Sequence, residues 1–147
     1  MSPTDPPPPI EMTRYHLQVE FGDCDPARIV FFPNYFRWSD AASRHFFREG
    51  GVPRWEETER SHGIIGAPCL SATAQFLVPA SYGDALAVES RIGEWRGKSF
   101  VFHHLVRRGD EDVARIEEVR VFARRTPDRP RGIEAVAMPA EWRARFL

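Results

Sequence analysis

The sequence predicts an α+β fold built from one long helix and an antiparallel sheet. Three observations lead there. Residues 34–48, "NYFRWSDAASRHFFR", place aromatic and small residues on more than one helical face, as a covered helix does. At least four later stretches show the period-2 alternation or the aromatic and β-branched enrichment of strands. The connections between them are mostly of hairpin length, which makes the pairing antiparallel.

In chain order, residues 15–21 ("YHLQVEF") put Tyr15, Leu17, Val19 and Phe21 on one face and His16, Gln18 and Glu20 on the other, a half-buried strand. "GDCDP" breaks it. The long helix follows, with Asn34 as its cap and Gly50-Gly51 as its stop. "PRWEETERS" adds one or two turns around residues 53–61. Strands are expected at 70–78, 85–95, 99–108 and 113–125, with "SYGD" and "RGDED" as turns. A short helix is expected after Pro139. A sheet with one apolar face needs a cover, and the long helix is the obvious one. Long strands wrapped around that helix satisfy both elements; a flat α+β sandwich fits the pattern nearly as well. Either leaves sheet edges and apolar surface open, which points to a dimer or larger oligomer.

Composition narrows the setting. A chain of 147 residues suggests one domain. With 42% hydrophobic and 28% charged residues it falls in the globular range. A net charge of -1 gives no bulk basic signature for nucleic acid, and the apolar runs are far shorter than a membrane span. The opening "MSPTDPPPPI" lacks a secretory pattern. It reads as a flexible proline-rich arm, residues 1–11, ahead of a single domain over 12–147. Cys24 and Cys69, without an export signal, are expected as reduced thiols in a cytoplasmic protein.

The acids carry the chemistry. Asp23 and Asp25 lie in a turn between strand and helix, beside the apolar run "ARIVFFPNYF". Turn aspartates commonly serve local hydrogen bonds, so at least one is expected to be structural. The functional reading has one carboxylate face an apolar cleft, where it activates water or attacks an acyl carbon. The adjacent helix N-terminus supplies N–H donors for the oxygen that gains charge. No G-x-S-x-G elbow competes. His16, His45, His62, His103 and His104 form no H-E-x-x-H, and with the cysteines they give no metal-ligand spacing, so no metal is expected. "EWRGKSF" at 94–100 reads as a charged hairpin turn or as a phosphate clamp using Arg96 and Lys98. "RRTPDRPRG" at 124–132 adds further cations. Two basic loops and an acid-bearing apolar cleft suggest a ligand with a polyanionic head and an acyl tail.

"FGDCDPARIVFFPNYFRWSDAAS" closely resembles the opening motif of the 4-hydroxybenzoyl-coenzyme A thioesterase family, the aspartate-type branch of the hotdog superfamily. "SATAQFLVPASYGD", "EWRGKSF" and "RGIEAVAMPAE" also resemble that family, so the likeness runs from about residue 12 nearly to the C-terminus. It implies the hotdog fold, a long central helix wrapped by a curved antiparallel sheet, and homodimers or homotetramers with active sites between subunits. It implies hydrolysis of an aromatic, 4-hydroxybenzoyl-like acyl-CoA to free acid and CoA. No cofactor is needed, coenzyme A being part of the substrate, and no nucleic acid or membrane partner is implied. The family's catalytic carboxylate falls on Asp25. It acts by attack on the thioester carbonyl to give an acyl-enzyme anhydride, with general-base activation of water as the alternative. The carbonyl oxygen is held by the backbone N–H carried over to Phe32. Asp40 matches an acid at the aryl end, Arg96 and Lys98 match CoA-phosphate contacts, and Arg131 belongs to the same nucleotide site. The sequence departs from the family at Arg28, where glycine is usual, and at Gly97, the middle of a basic triplet. The rival readings are a short- or medium-chain aliphatic acyl-CoA thioesterase and a non-catalytic CoA- or acyl-binding protein.

Overall fold

The computed structural model describes residues 5–147. Its strands are β1 (Thr13–Gln18), β2 (Ile64–Gly66), β3 (Cys69–Phe76), β4 (Ala85–Arg96), β5 (Ser99–Arg108), β6 (Glu111–Arg125) and β7 (Ile133–Val136). The helices are α1 (Pro33–Glu49), α2 (Trp55–His62) and α3 (Ala140–Arg143). All seven strands form one antiparallel sheet with the central order β1-β4-β5-β6. The 15-residue β6 also carries β3, β2 and β7. Register shifts at 92/94, 106/107 and 69/71 interrupt the ladders. Bulges of this kind raise local twist and bend the strands, so the sheet curls around α1 instead of lying flat. This is the wrapped arrangement of the hotdog fold.

Helix α1 buries Tyr35, Trp38, Ser39, Ala42, Ser43, Phe46 and Phe47, the i, i+3, i+4 spacing of one stripe. The sequence suggested a helix covered on several sides; one side instead remains free, and it carries Asp40. The first half of the stripe packs on Leu86, Val88, Val106 and Ile116. The second half enters an aromatic cluster. There Phe46 stacks on Phe146 at 4.8 Å, and Phe47 meets Phe122 at 5.3 Å. Gly50 ends the helix, and a Cβ at that position would fall 2.2 Å from the Phe146 ring. Phe32 caps the helix and Pro33 is its first residue, ahead of the expected Asn34. Proline suits this position because its fixed φ is helical and the missing N–H is not needed.

Three further differences matter. Phe21, expected on the buried face of the first strand, is 80% exposed because β1 ends at Gln18 and a 3-10 turn intervenes. Strand β3 alternates in sequence, yet seven of its eight residues are exposed; it lies at the sheet edge, beyond the cover of α1. Strands β2 and β7 are short additions along β6 that carry no strong local signal. Of the proline-rich arm, residues 1–4 lie outside the described residues. Near its end Ile10 is held: its N–H donates to the Arg145 carbonyl (2.8 Å) and its carbonyl accepts the Leu147 N–H (2.9 Å). Among the described residues no helix is long and apolar enough to cross a membrane.

Candidate active site

After β1 the chain enters the acid turn, and Asp23 ties it down. Asp23 Oδ2 accepts the Glu20 N–H (2.8 Å), and Oδ1 accepts from Arg37 Nη2 (2.7 Å). Its carbonyl accepts the Phe31 N–H and the Asn34 side-chain amide, both at 2.8 Å. Buried and held this way, Asp23 is the structural member of the pair.

Asp25 is presented differently. Its N–H donates to the Ile29 carbonyl (2.9 Å), and its own carbonyl accepts the Arg28 N–H (2.8 Å). Its Oδ1 accepts the Ala27 N–H at 2.9 Å, while Oδ2 accepts no hydrogen bond among the described residues. One oxygen therefore orients the carboxylate and the other is offered outward. Residues 30–32 run back beside 23–25, joined by the Cys24–Val30 bridge and the Phe31–Asp23 bond. This antiparallel return brings the head of α1 against Asp23, at the base of the hairpin whose tip carries Asp25. Pro33 has no N–H, and the Asn34 and Tyr35 amides bond back to the Phe31 and Phe32 carbonyls. The Phe32 N–H has no acceptor among the described residues. The tip of this short hairpin thus carries a carboxylate oxygen, and the helix head that follows it carries an unpaired donor, the two kinds of group needed to attack a carbonyl and hold its oxygen.

Exposed aromatic rings surround that turn. Phe21 meets Tyr82 at 6.0 Å, Phe31 meets Phe32 at 5.8 Å, and Phe32 meets Phe76 of β3 at 6.1 Å. All five are exposed, and apolar rings gathered at the surface in this way mark a binding or association surface.

Arg28 sits in the same turn at φ 67°, the left-handed region. For a residue with a side chain this costs roughly 1–2 kcal/mol, which glycine escapes while losing somewhat more chain entropy on folding. A glycine at this position would avoid that cost, and the turn holds the arginine under strain. Arg28→Gly is expected to stabilise the protein slightly, by about 0.5 kcal/mol, read as a higher urea midpoint at unchanged slope. A lower midpoint would mean that the arginine side chain makes a stabilising contact.

Asp40 lies two turns along α1, exposed at the mouth of a cleft of about 660 Å³ lined by Ser43, Arg44, Trp55, Cys69 and Arg120 among others. Its Oδ1 accepts from Arg120 Nη2 at 2.9 Å. Behind it runs a buried polar chain that the sequence reading missed. Arg120 forks onto Glu118, with Nη2 2.7 Å from Oε2 and Nε 3.2 Å from Oε1, and its Nη1 donates to the Ala67 carbonyl (2.8 Å). His104 Nε2 meets Glu118 Oε1 at 2.5 Å, and Ser90 Oγ lies 2.7 Å from His104 Nδ1. Ser39 and Ser43 of α1 place their hydroxyls 3.3 and 3.0 Å from the same carboxylate. Burial alone pushes the Glu118 carboxyl up, but the bonds from His104 and Arg120 outweigh it and hold it down to about 2. Burial likewise works against the Arg120 cation, and its bonds to Glu118 and Asp40 raise it above the ordinary arginine value. The signal in the sequence was the order Ile116, Glu118, Arg120, Phe122: an opposite-charge pair in the buried phase of a strand.

The cations lie elsewhere. Gly97 and Lys98 form the two-residue loop between β4 and β5, with Gly97 at φ 51°. A basic residue at 97 would have to adopt that left-handed backbone. Arg96 pairs with Glu94 at 3.0 Å, and both Arg96 and Lys98 are exposed. Arg131 is in the turn between β6 and β7, at φ 59°. Ser99 pairs with Val121, so both basic loops lie at the same end of the sheet. The acid turn bonds to Ala80 and follows the Val19–Asp84 bond, at the start of β4. The 12 residues of β4 separate these ends, roughly 40 Å of strand before curvature. Within one chain, then, Asp25 and Phe32 belong to one hairpin and the helix head it leads into, Asp40 is two turns along that helix, and Arg96, Lys98 and Arg131 are at the far end of the sheet.

The fold and the acid turn define the class. Residues 19–146 match the model of the thioesterase-like superfamily, and the chain belongs to that family. Among individual proteins, the chain is 51% identical over 125 residues to the 4-hydroxybenzoyl-CoA thioesterase of Pseudomonas sp. strain CBS-3, covering 82% of this chain and 89% of the relative. An aspartate-to-asparagine mutant of a 4-hydroxybenzoyl CoA thioesterase, complexed with 4-hydroxybenzoyl CoA, superposes with a TM-score of 0.84 at 43% identity, covering 90% of this chain and 96% of that one. A gentisyl-coenzyme A thioesterase superposes with a TM-score of 0.76 at 34% identity, covering 89% and 99%.

Proposed function

We propose that this protein is an acyl-CoA thioesterase that hydrolyses an aromatic, 4-hydroxybenzoyl-like thioester to free acid and CoA. The observation that carries the reading is the Asp25 carboxylate, oriented through Oδ1 and free at Oδ2, at the tip of the hairpin that leads into the helix head with its unpaired Phe32 N–H. Strong similarity to a 4-hydroxybenzoyl-CoA thioesterase supports the substrate class. In the reaction Asp25 Oδ2 bonds to the acyl carbon, and the carbonyl electrons move onto the oxygen, which the Phe32 N–H stabilises. Collapse breaks the C–S bond, CoA leaves as the thiolate and takes a proton, and water cleaves the resulting anhydride to regenerate the carboxylate. Asp40 accepts a hydrogen bond from the ring hydroxyl. Arg96, Lys98 and Arg131 bind the phosphates of CoA.

The separation of these groups within one chain favours a shared site. Edge strand β3 has Phe76 beside Phe32 at one end and Cys69 beside the Asp40 cleft at the other. A second copy pairing antiparallel along that exposed edge would bring its Asp40 cleft to the first copy's Asp25 and cover the aromatic patch. We therefore read the enzyme as a homodimer through β3, assembled further into a homotetramer, with its two free cysteines suited to the cytoplasm.

The test is thiol release from 4-hydroxybenzoyl-, benzoyl- and butyryl-CoA. The hydroxylated ester is expected to lead benzoyl-CoA by about tenfold or more in kcat/KM, since a hydrogen bond to a charged group contributes roughly 1.5–3 kcal/mol. Butyryl-CoA leading would make the protein an aliphatic thioesterase. CoA binding without any hydrolysis would make it a binding module.

A further inference from the structure

We propose that Arg120 is a positioning residue that sets the preference for hydroxylated acyl groups by fixing the Asp40 carboxylate from inside the core. This rests on the reading of Asp40 as the partner of the ring hydroxyl. Asp40 is on the free side of α1 and largely exposed, so its side chain would otherwise sample several rotamers. Arg120 is buried, and a guanidinium is planar with its donors in fixed directions. Three of its bonds point inward, two to Glu118 and one to the Ala67 carbonyl. They determine where the remaining Nη2 hydrogen points, and there it meets Asp40 Oδ1. The carboxylate is thereby held with Oδ1 occupied and Oδ2 available to a ligand.

The anchor is itself referenced to α1. Ser39 and Ser43 bracket Asp40 on that helix and reach Glu118, while His104, backed by Ser90, holds Glu118 from the sheet. Asp40 on the helix and Arg120 on the sheet are therefore linked through Glu118, whose bonds to Ser39 and Ser43 cross between the two elements and resist movement of one against the other. A recognition group held in place beforehand loses little freedom on binding, and a displacement of about 1 Å can cost on the order of 100-fold in rate.

The experiment measures kcat/KM for 4-hydroxybenzoyl-CoA and benzoyl-CoA and takes their ratio. It uses the full-length protein, Asp40→Asn, Arg120→Lys and the double variant. Lysine keeps the charge beside Glu118, but its single ammonium cannot make all four bonds. Arg120→Lys is expected to lower the ratio by about tenfold, mainly through KM for the hydroxylated ester, and to add nothing in the Asp40→Asn background. Loss of both substrates by the same factor, or further loss of the ratio in the double variant, would overturn the proposal. If Asp40→Asn lowers the ratio and Arg120→Lys does not, only this inference falls. If Asp40→Asn leaves the ratio unchanged, the reading of Asp40 falls first. Should Arg120→Lys not fold, Glu118→Asp serves in its place: it keeps the charge balance and draws the guanidinium inward. It is expected to lower the ratio in the same way, and an unchanged ratio would overturn the proposal.

Discussion

Asp25→Asn is expected to lower thioester hydrolysis by about 10³-fold or more while leaving the melting temperature within about 1 °C of wild type. The amide keeps the shape of the carboxylate, and its oxygen can still accept the Ala27 N–H that orients it. What it loses is an anionic oxygen able to attack carbon or take a proton from water. The fold does not depend on that charge, because Asp23 anchors the turn through Arg37, Glu20, Phe31 and Asn34. Free-thiol release from 4-hydroxybenzoyl-CoA, measured beside a thermal melt of both proteins, decides the matter. Comparable rates would remove Asp25 from the chemistry; a large fall in melting temperature would mean that the acid also supports the fold.

The largest expected effect on stability comes from Arg120→Ala, a loss of about 3–5 kcal/mol, because it leaves the buried Glu118 carboxylate without its cation. At this chain length that corresponds to a fall of roughly 10 °C or more in Tm. The pH dependence follows from the same pair. The Glu118 carboxyl titrates at about 2 in the folded protein against an ordinary 4.5. As pH falls below that ordinary value, the unfolded chain takes up the proton first and the folded state loses ground. The contribution, roughly 3 kcal/mol, is therefore fully present above about pH 5 and disappears progressively on the way to pH 2. Removing Arg120 removes one of the two partners that hold the carboxyl down, so the variant's unfolding free energy should vary less steeply over this window. Urea melts at pH 7, 4.5 and 3 would test both statements; equal stability of the two proteins at pH 7 would contradict the first.

The sequence was most readable where local chemistry decided the outcome. Strands β4, β5 and β6 alternate strongly and lie within two residues of their expected bounds at each end. Gly50 and Gly51 ended α1 as glycines do. The acid turn was legible as a candidate site because carboxylates beside an apolar run are costly unless they are used. Of its two acids the structure gives Asp23 the local role and leaves Asp25 open, a division set by Arg37 and Asn34 one turn into the helix. What escaped reading depends on distant partners. Phe21 alternates correctly yet faces solvent, because the chain leaves the sheet before it. Strands β2 and β7 exist only because the end of β6 offers them a place to pair. The Glu118–Arg120–His104 chain joins two strands and a helix far apart in sequence, and no window of neighbouring residues contains it.

The pairing of Ile10 with the segment around Phe146 has a topological consequence. Backbone hydrogen bonds between residue 10 and residues 145–147 already bring the two sides of the domain into one closed loop, and a short flexible bridge from residue 147 to residue 9 would make that loop covalent without displacing the aromatic cluster. Such cyclisation would act on the denatured chain, by limiting the conformations open to it.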